Sequence, residues 1–126
     1  MLTKCKVSRK TFWQWSKRKP KSTYERDQLL KNCGSSCFLL PKGAPFSPVL
    51  AKGPGKVRKK PAFPICPKDD CCIDCGGLRA AYIRGKSMAT RTKNKGYIKE
   101  SKVYERVSQK ALRLAKKLNC DWSKGH

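Results

Sequence analysis

The sequence predicts a mainly α-helical protein: a small domain of about three short helices with long irregular Pro/Gly-rich extensions and little β structure. Three observations predict it. Ser22-Thr23-Tyr24-Glu25 has the form of a helix capping box. Val103, Val107, Ala111, Leu114 or Ala115, and Leu118 recur at three- and four-residue spacing, which draws one apolar stripe along a helix. Between these regions Pro45, Pro48, Pro54, Pro61 and Pro64 alternate with Gly43, Gly53 and Gly55, and proline is excluded from helix interiors and central strands.

Residues 1–21 read as a basic, aromatic N-terminal arm. Lys and Arg are interleaved with Phe12, Trp13 and Trp15 up to Pro20. Aromatic rings among cations suit base stacking or a lipid interface; docking of the same rings on the body is the competing reading. Residues 22–42 hold the first helix and a cysteine-containing clip. The helix is expected over about residues 23–33, with Tyr24, Leu29 and Leu30 as its apolar face and Gly34 as its stop. Ser35 to Leu40 is a strand or an extended clip. Residues 43–64 form a Pro/Gly-rich basic linker that includes Lys56-Val57-Arg58-Lys59-Lys60, too long for an ordinary loop.

Residues 65–126 hold a cysteine cluster and a two-helix C-terminal part. Asp74 is a good N-cap for a helix running to about Ala89, with Leu78, Ala81, Tyr82 and Met88 on its apolar stripe and Gly76 and Gly77 weakening its first turn. Asn94-Lys95-Gly96 is a turn. In the last helix Lys102, Arg106, Lys110, Arg113, Lys116 and Lys117 occupy much of the remaining surface. Asn119 can end it, leaving Cys120 and Trp122 to fold back.

Charge is the dominant property of the chain. It has 126 residues, 31 Lys+Arg against 8 Asp+Glu, and a formal net charge of +23. Such a charge repels itself in the compact state and calls for an anionic counterpart. Nucleic acid, an anionic membrane face or an acidic protein lattice would each serve. The candidate contacts are Arg9, Lys10, Lys17, Arg18 and Lys19 in the arm and Lys56, Arg58, Lys59 and Lys60 in the linker. Trp13, Trp15 and Trp122 are candidate aromatic anchors. No stretch approaches the roughly 20 apolar residues of a membrane span, and no secretory signal is visible after Met1, so a protein made and retained in a cytosolic or nuclear compartment is expected.

The eight cysteines are Cys5, Cys33, Cys37, Cys66, Cys71, Cys72, Cys75 and Cys120. Cys72-Ile73-Asp74-Cys75 is a CxxC and Cys33-Gly34-Ser35-Ser36-Cys37 a CxxxC. Short spacings of this kind let one turn supply two tetrahedral zinc ligands. A zinc site from Cys33, Cys37, Cys72 and Cys75, with Cys66 or Cys71 as substitute, would staple the first helix to the second. Disulfides and reduced core thiols are the alternatives. Catalysis has little to stand on: His126 is the only histidine, so no Ser-His or Cys-His constellation exists in the body. A non-enzymatic protein without a small-molecule substrate is expected.

Four strings carry a resemblance. They are Lys31 to Pro41 (KNCGSSCFLLP), Phe63 to Pro67 (FPICP), Cys75 to Tyr82 (CGGLRAAY) and Ala115 to Trp122 (AKKLNCDW). Together they resemble short, basic, cysteine-containing virion proteins of large nucleocytoplasmic DNA viruses, chlorovirus-like minor capsid proteins among them. The likeness covers roughly residues 22–42 and 63–122. It implies no catalytic residue. It implies a structural role on the inner side of a capsid, with the major capsid protein, other minor capsid proteins and the inner membrane surface as partners, after synthesis in the host cytoplasm. Viruses of this kind often carry a thiol oxidase, which favours disulfides over zinc. A sequence-nonspecific nucleic-acid-binding or genome-condensing protein, with or without a zinc staple, is the alternative.

Overall fold

The computed structural model describes residues 3–5, 14–44 and 61–126, and these form a mainly helical domain with one small sheet. In chain order the elements are α1 (Trp15–Arg18), α2 (Thr23–Cys33), β1 (Phe38–Leu40), β2 (Ala62–Pro64), α3 (Cys75–Asn94) and α4 (Ile98–Lys117). Short 3-10 turns lie at Ser35–Cys37 and Asp121–Ser123. Residues 45–60 of the expected linker and residues 1–2 and 6–13 of the N-terminal arm lie outside the described residues.

Local signals explain where the helices begin and end. The Ser22 hydroxyl accepts from the Glu25 amide at 3.0 Å, and the Glu25 carboxylate accepts from the Ser22 amide at 3.4 Å and the Lys21 amide at 3.0 Å. These bonds satisfy amides that the first turn leaves without partners. The Lys21 amide bond is the main reason the Glu25 carboxyl titrates below its ordinary range. Gly34 closes α2 with φ 85°, and its amide reaches the Leu30 carbonyl at 2.9 Å. Asp74 caps α3 by accepting from the Gly76 and Gly77 amides at 2.8 and 3.4 Å. Asn119 follows α4 with φ 59°, a conformation Asn tolerates better than most residues.

The dominant packing unit is the antiparallel hairpin of α3 and α4. Its contact is built from small residues: Ala81, Gly85 and Ala89 on α3 meet Ser101, Ser108, Ala111 and Ala115 on α4, all buried. Gly85 is the tightest point. A Cβ there would lie 3.0 Å from both the Tyr104 carbonyl and the Ser108 amide. The Ser101 hydroxyl bridges the helices by donating to the Ala89 carbonyl at 2.8 Å.

The expected α4 stripe is rotated by part of a turn. Tyr104, Val107, Ala111 and Ala115 are buried, while Val103, Leu114 and Leu118 sit at the edges of the contact. Tyr104 takes the centre because its ring meets Phe63 edge-on at 6.0 Å. The α3 helix runs five residues past Ala89, to Asn94. On α2 only Leu29 is buried, and Tyr24, expected on the apolar face, is 71% exposed.

The two strands pair antiparallel, Phe38 against Pro64 and Leu40 against Ala62. Phe63 between these pairs has φ 58°, which is strained for a bulky residue. The sheet closes one end of the hairpin. Phe38, Leu39, Phe63, Ile65 and Ile73 pack there with Leu29, Leu78 and Tyr104 in a single core.

Candidate functional site

All four disulfides converge on one ten-residue segment. Cys66, Cys71, Cys72 and Cys75 pair with Cys37, Cys33, Cys5 and Cys120 respectively, at Cα separations of 5.1, 5.2, 4.8 and 5.6 Å. Residues 66–75 are therefore a covalent hub that receives the N-terminal arm, the end of α2, the 3-10 turn before β1 and the chain after α4. Three of the loops are concentric: Cys37–Cys66 lies inside Cys33–Cys71, which lies inside Cys5–Cys72. The fourth, Cys75–Cys120, follows them and encloses the α3–α4 hairpin.

Backbone hydrogen bonds hold the hub in place. Cys5 donates to the Ile73 carbonyl and Ile73 to the Thr3 carbonyl, both at 2.8 Å, which makes a parallel bridge to the arm. Asp74 donates to the Ile65 carbonyl at 2.8 Å.

This pairing corrects the zinc reading. Cys33, Cys37, Cys72 and Cys75 fall into four different disulfides, so the expected ligand set is never assembled. Among the described residues no group of three or more His, Cys, Asp or Glu side chains is placed to hold a metal. The reduced-thiol reading is corrected with it, because no cysteine is free.

Two more expectations fall at the start of α3. The sequence reads Arg18 as a contact to an outside anion. Instead its Nε and Nη2 donate to the two carboxylate oxygens of Asp74 at 2.7 and 2.9 Å, and the Asp74 side chain is fully buried. Trp15, expected as a partner anchor, is buried at the body, where its ring edge faces the α carbon of Gly77 closely enough that a Cβ would come within 2.9 Å. Together they clamp α1 onto α3. Gly77 is tolerated in the first turn because the indole occupies the side-chain space.

Trp122 also serves the fold. Its Nε1 donates to the Cys75 carbonyl at 2.8 Å, and its ring lies 5.5 Å from Tyr82 and 6.1 Å from His126. The Lys86 ammonium sits over the Tyr82 ring, 5.0 Å from its centre. Lys17 and Lys19 are exposed. Arg9, Lys10, Trp13, Lys56, Arg58, Lys59 and Lys60 lie outside the described residues.

The charge itself is unevenly spread over the fold. Residues 75–117 hold 13 Lys/Arg and 2 acids, a net +11. Among the described residues Arg18 pairs with Asp74 and Lys124 with Asp121 at 3.5 Å, and neither pair involves a cation of α4. Where α2 meets the hairpin, burial lowers the basicity of the Arg26 guanidinium and Arg84 lowers it further. The Arg26 Nε is buried without a partner. Burial likewise raises the Tyr104 phenol, an effect that Arg84 opposes and Glu100 adds to.

The residues that sequence reasoning left off the site lie on α4. Lys99, Lys102, Arg106, Lys110, Arg113 and Lys117 are all exposed and follow one another at spacings of 3, 4, 4, 3 and 4. That spacing is a readable signal, the cationic counterpart of the apolar stripe on the other side of the helix. Beside them, between α3 and α4, runs an open groove of about 510 Å³ lined by Tyr82, Lys86, Lys93, Glu105, Gln109 and Leu112, among others. No family model, curated protein or solved structure matches the chain.

Proposed function

We propose that the protein is a structural virion component: a minor capsid protein that links capsomers beneath the major capsid shell of a large double-stranded DNA virus. The observation that carries this reading is the hub. A chain of 126 residues with 38% hydrophobic content has little core to rely on, and small domains of this kind use cross-links to stay folded. Four bridges through residues 66–75 make a rigid node from which the remaining chain departs. A covalently tied node suits a part that holds neighbours together.

The sequence resemblance supports the same reading. Its four strings are the end of α2 with β1, the strand β2, the start of α3 and the end of α4. They supply both halves of Cys37–Cys66 and Cys75–Cys120, and Cys33 besides.

Reconstitution tests the proposal. The oxidised full chain is mixed with shells assembled from the major capsid protein of the encoding virus and sedimented. Co-sedimentation at a fixed ratio to capsomers is expected. Deleting residues 45–60, which leaves β1, β2 and Cys37–Cys66 in place, is expected to weaken it. Failure of the intact oxidised chain to bind shells would sink the reading.

A further inference from the structure

The exposed face of α4 carries a row of cations that the capsid reading does not use. At 3.6 residues per turn, Lys99, Lys102, Arg106, Lys110, Arg113 and Lys117 fall within about 80° of arc, and at 1.5 Å rise they extend over about 27 Å. The arc lies roughly opposite the buried residues Tyr104, Val107, Ala111 and Ala115. All six side chains are exposed, and among the described residues none is ion-paired. Neither acid of the helix, Glu100 or Glu105, falls within the arc.

The chemistry of the row selects among anionic partners. A protein interface of ordinary strength needs an apolar or aromatic centre with water excluded around it, and this row has none. A helix lying in a bilayer surface needs large apolar side chains entering the acyl region from the same side. The apolar side of α4 is instead committed to α3 and the core. Single-stranded nucleic acid is gripped through stacked aromatic rings, which the row also lacks. Evenly spaced Lys and Arg alone are what a phosphodiester backbone takes, because phosphate contacts position a protein without reading bases. Over about 27 Å a duplex presents about 16 phosphates, so all six cations can find partners on a rigid rod.

We infer that the α4 row is a binding surface for the phosphate backbone of double-stranded nucleic acid, engaged without base readout. This does not depend on the capsid reading. A protein with both properties would join shell to genome, and either can fail alone.

The test uses the oxidised full chain and duplex DNA of about 30 base pairs and mixed sequence. One variant, K102Q/R106Q/K110Q/R113Q, neutralises the row. A second, K21Q/K31Q/K42Q/K68Q, removes the same charge at exposed positions elsewhere. Glutamine keeps helix propensity close to that of Lys and Arg, and circular dichroism with non-reducing mass measurement verifies fold and bridges. With six contacts the slope of log K against log salt is expected near −5 for the parent, falling in magnitude by about 3 to 4 in the row variant. The row variant should lose at least tenfold in affinity at low salt, the control variant several-fold less, with its slope kept. R106K/R113K should bind as the parent does. Equal losses in the two neutralised variants would overturn the inference, since net charge alone would then account for binding. It would also be overturned if the row variant bound duplex normally but failed to bind anionic vesicles or capsid shells.

Discussion

Single residues show where this fold tolerates no change. At Gly85 two backbone groups of α4 lie 3.0 Å from where a Cβ would be. Alanine elsewhere in a helix gains about 1 kcal/mol over glycine. Here overpacking of about 1 to 3 kcal/mol opposes that gain, and the obstructing atoms are backbone that cannot rotate aside. G85A is therefore expected to lower stability by about 1 kcal/mol, and G85V by more, as read from urea midpoints under oxidising conditions. The Arg18–Asp74 pair makes an asymmetric prediction. The side chain of Asp74 is 0% exposed and that of Arg18 21%. R18Q leaves a buried carboxylate without its cation, and about 3 kcal/mol or more should be lost. D74N keeps a good N-cap and leaves the charge on the more accessible partner, so about 1.5 to 3 kcal/mol is expected. If D74N proved the more damaging in the same urea titration, the pair would not govern α1 docking. The sequence offered Asp74 as a cap and Arg18 as a free cation. Each reading was local, and their partnership spans 56 residues, a distance at which no spacing rule speaks.

At the scale of elements, what could be read from the chain was what neighbours in sequence decide. The bounds of α2 follow from Ser22, Glu25 and Gly34, and the cap of α3 from Asp74. The lengths of α3 and the rotation of α4 did not follow, because both are set across the hairpin. Arg91, Thr92 and Lys93 look like turn approach in isolation. Thr92 is instead buried, its hydroxyl donating to the Met88 carbonyl at 2.8 Å, so the helix continues. Cysteine pairing was illegible for a related reason. The CxxC and CxxxC motifs suggest local partners, whereas every bridge joins residues at least 29 apart. Removing a bridge should therefore be felt by a whole element. C75S/C120S frees the end of α4 from the start of α3 across 45 residues, and chain-entropy arguments put the loss at about 4 kcal/mol. Thermal unfolding followed by circular dichroism should show it, together with faster amide exchange in the last turns of α4. Unchanged protection there would mean that the Trp122 contact to Cys75 suffices to hold the end.

For the whole molecule, charge and cross-links act against each other. A net charge of +23 pushes the compact state apart, and that repulsion is screened within about 10 Å at 0.1 M salt. The melting temperature of the oxidised protein should rise by several degrees between 10 and 150 mM sodium chloride and then level off. A melting temperature independent of salt would show that the cations are too dispersed to strain the fold. The concentric arrangement of three bridges has a kinetic meaning of its own. The three loops are nested in sequence, so the chain can oxidise as a zipper, from the inside outwards. Cys33 and Cys71 begin 38 residues apart. Once Cys37–Cys66 has closed, the covalent path between them shrinks to about nine residues, two halvings that save about 1.2 kcal/mol of closure entropy. Alkylation trapping during reoxidation should then find Cys37–Cys66 first and Cys5–Cys72 after Cys33–Cys71, with C37S slowing both outer closures. The vicinal pair Cys71-Cys72, on its face the easiest place for a mispairing, is sorted by timing: the inner partner has already brought Cys33 alongside before the arm arrives.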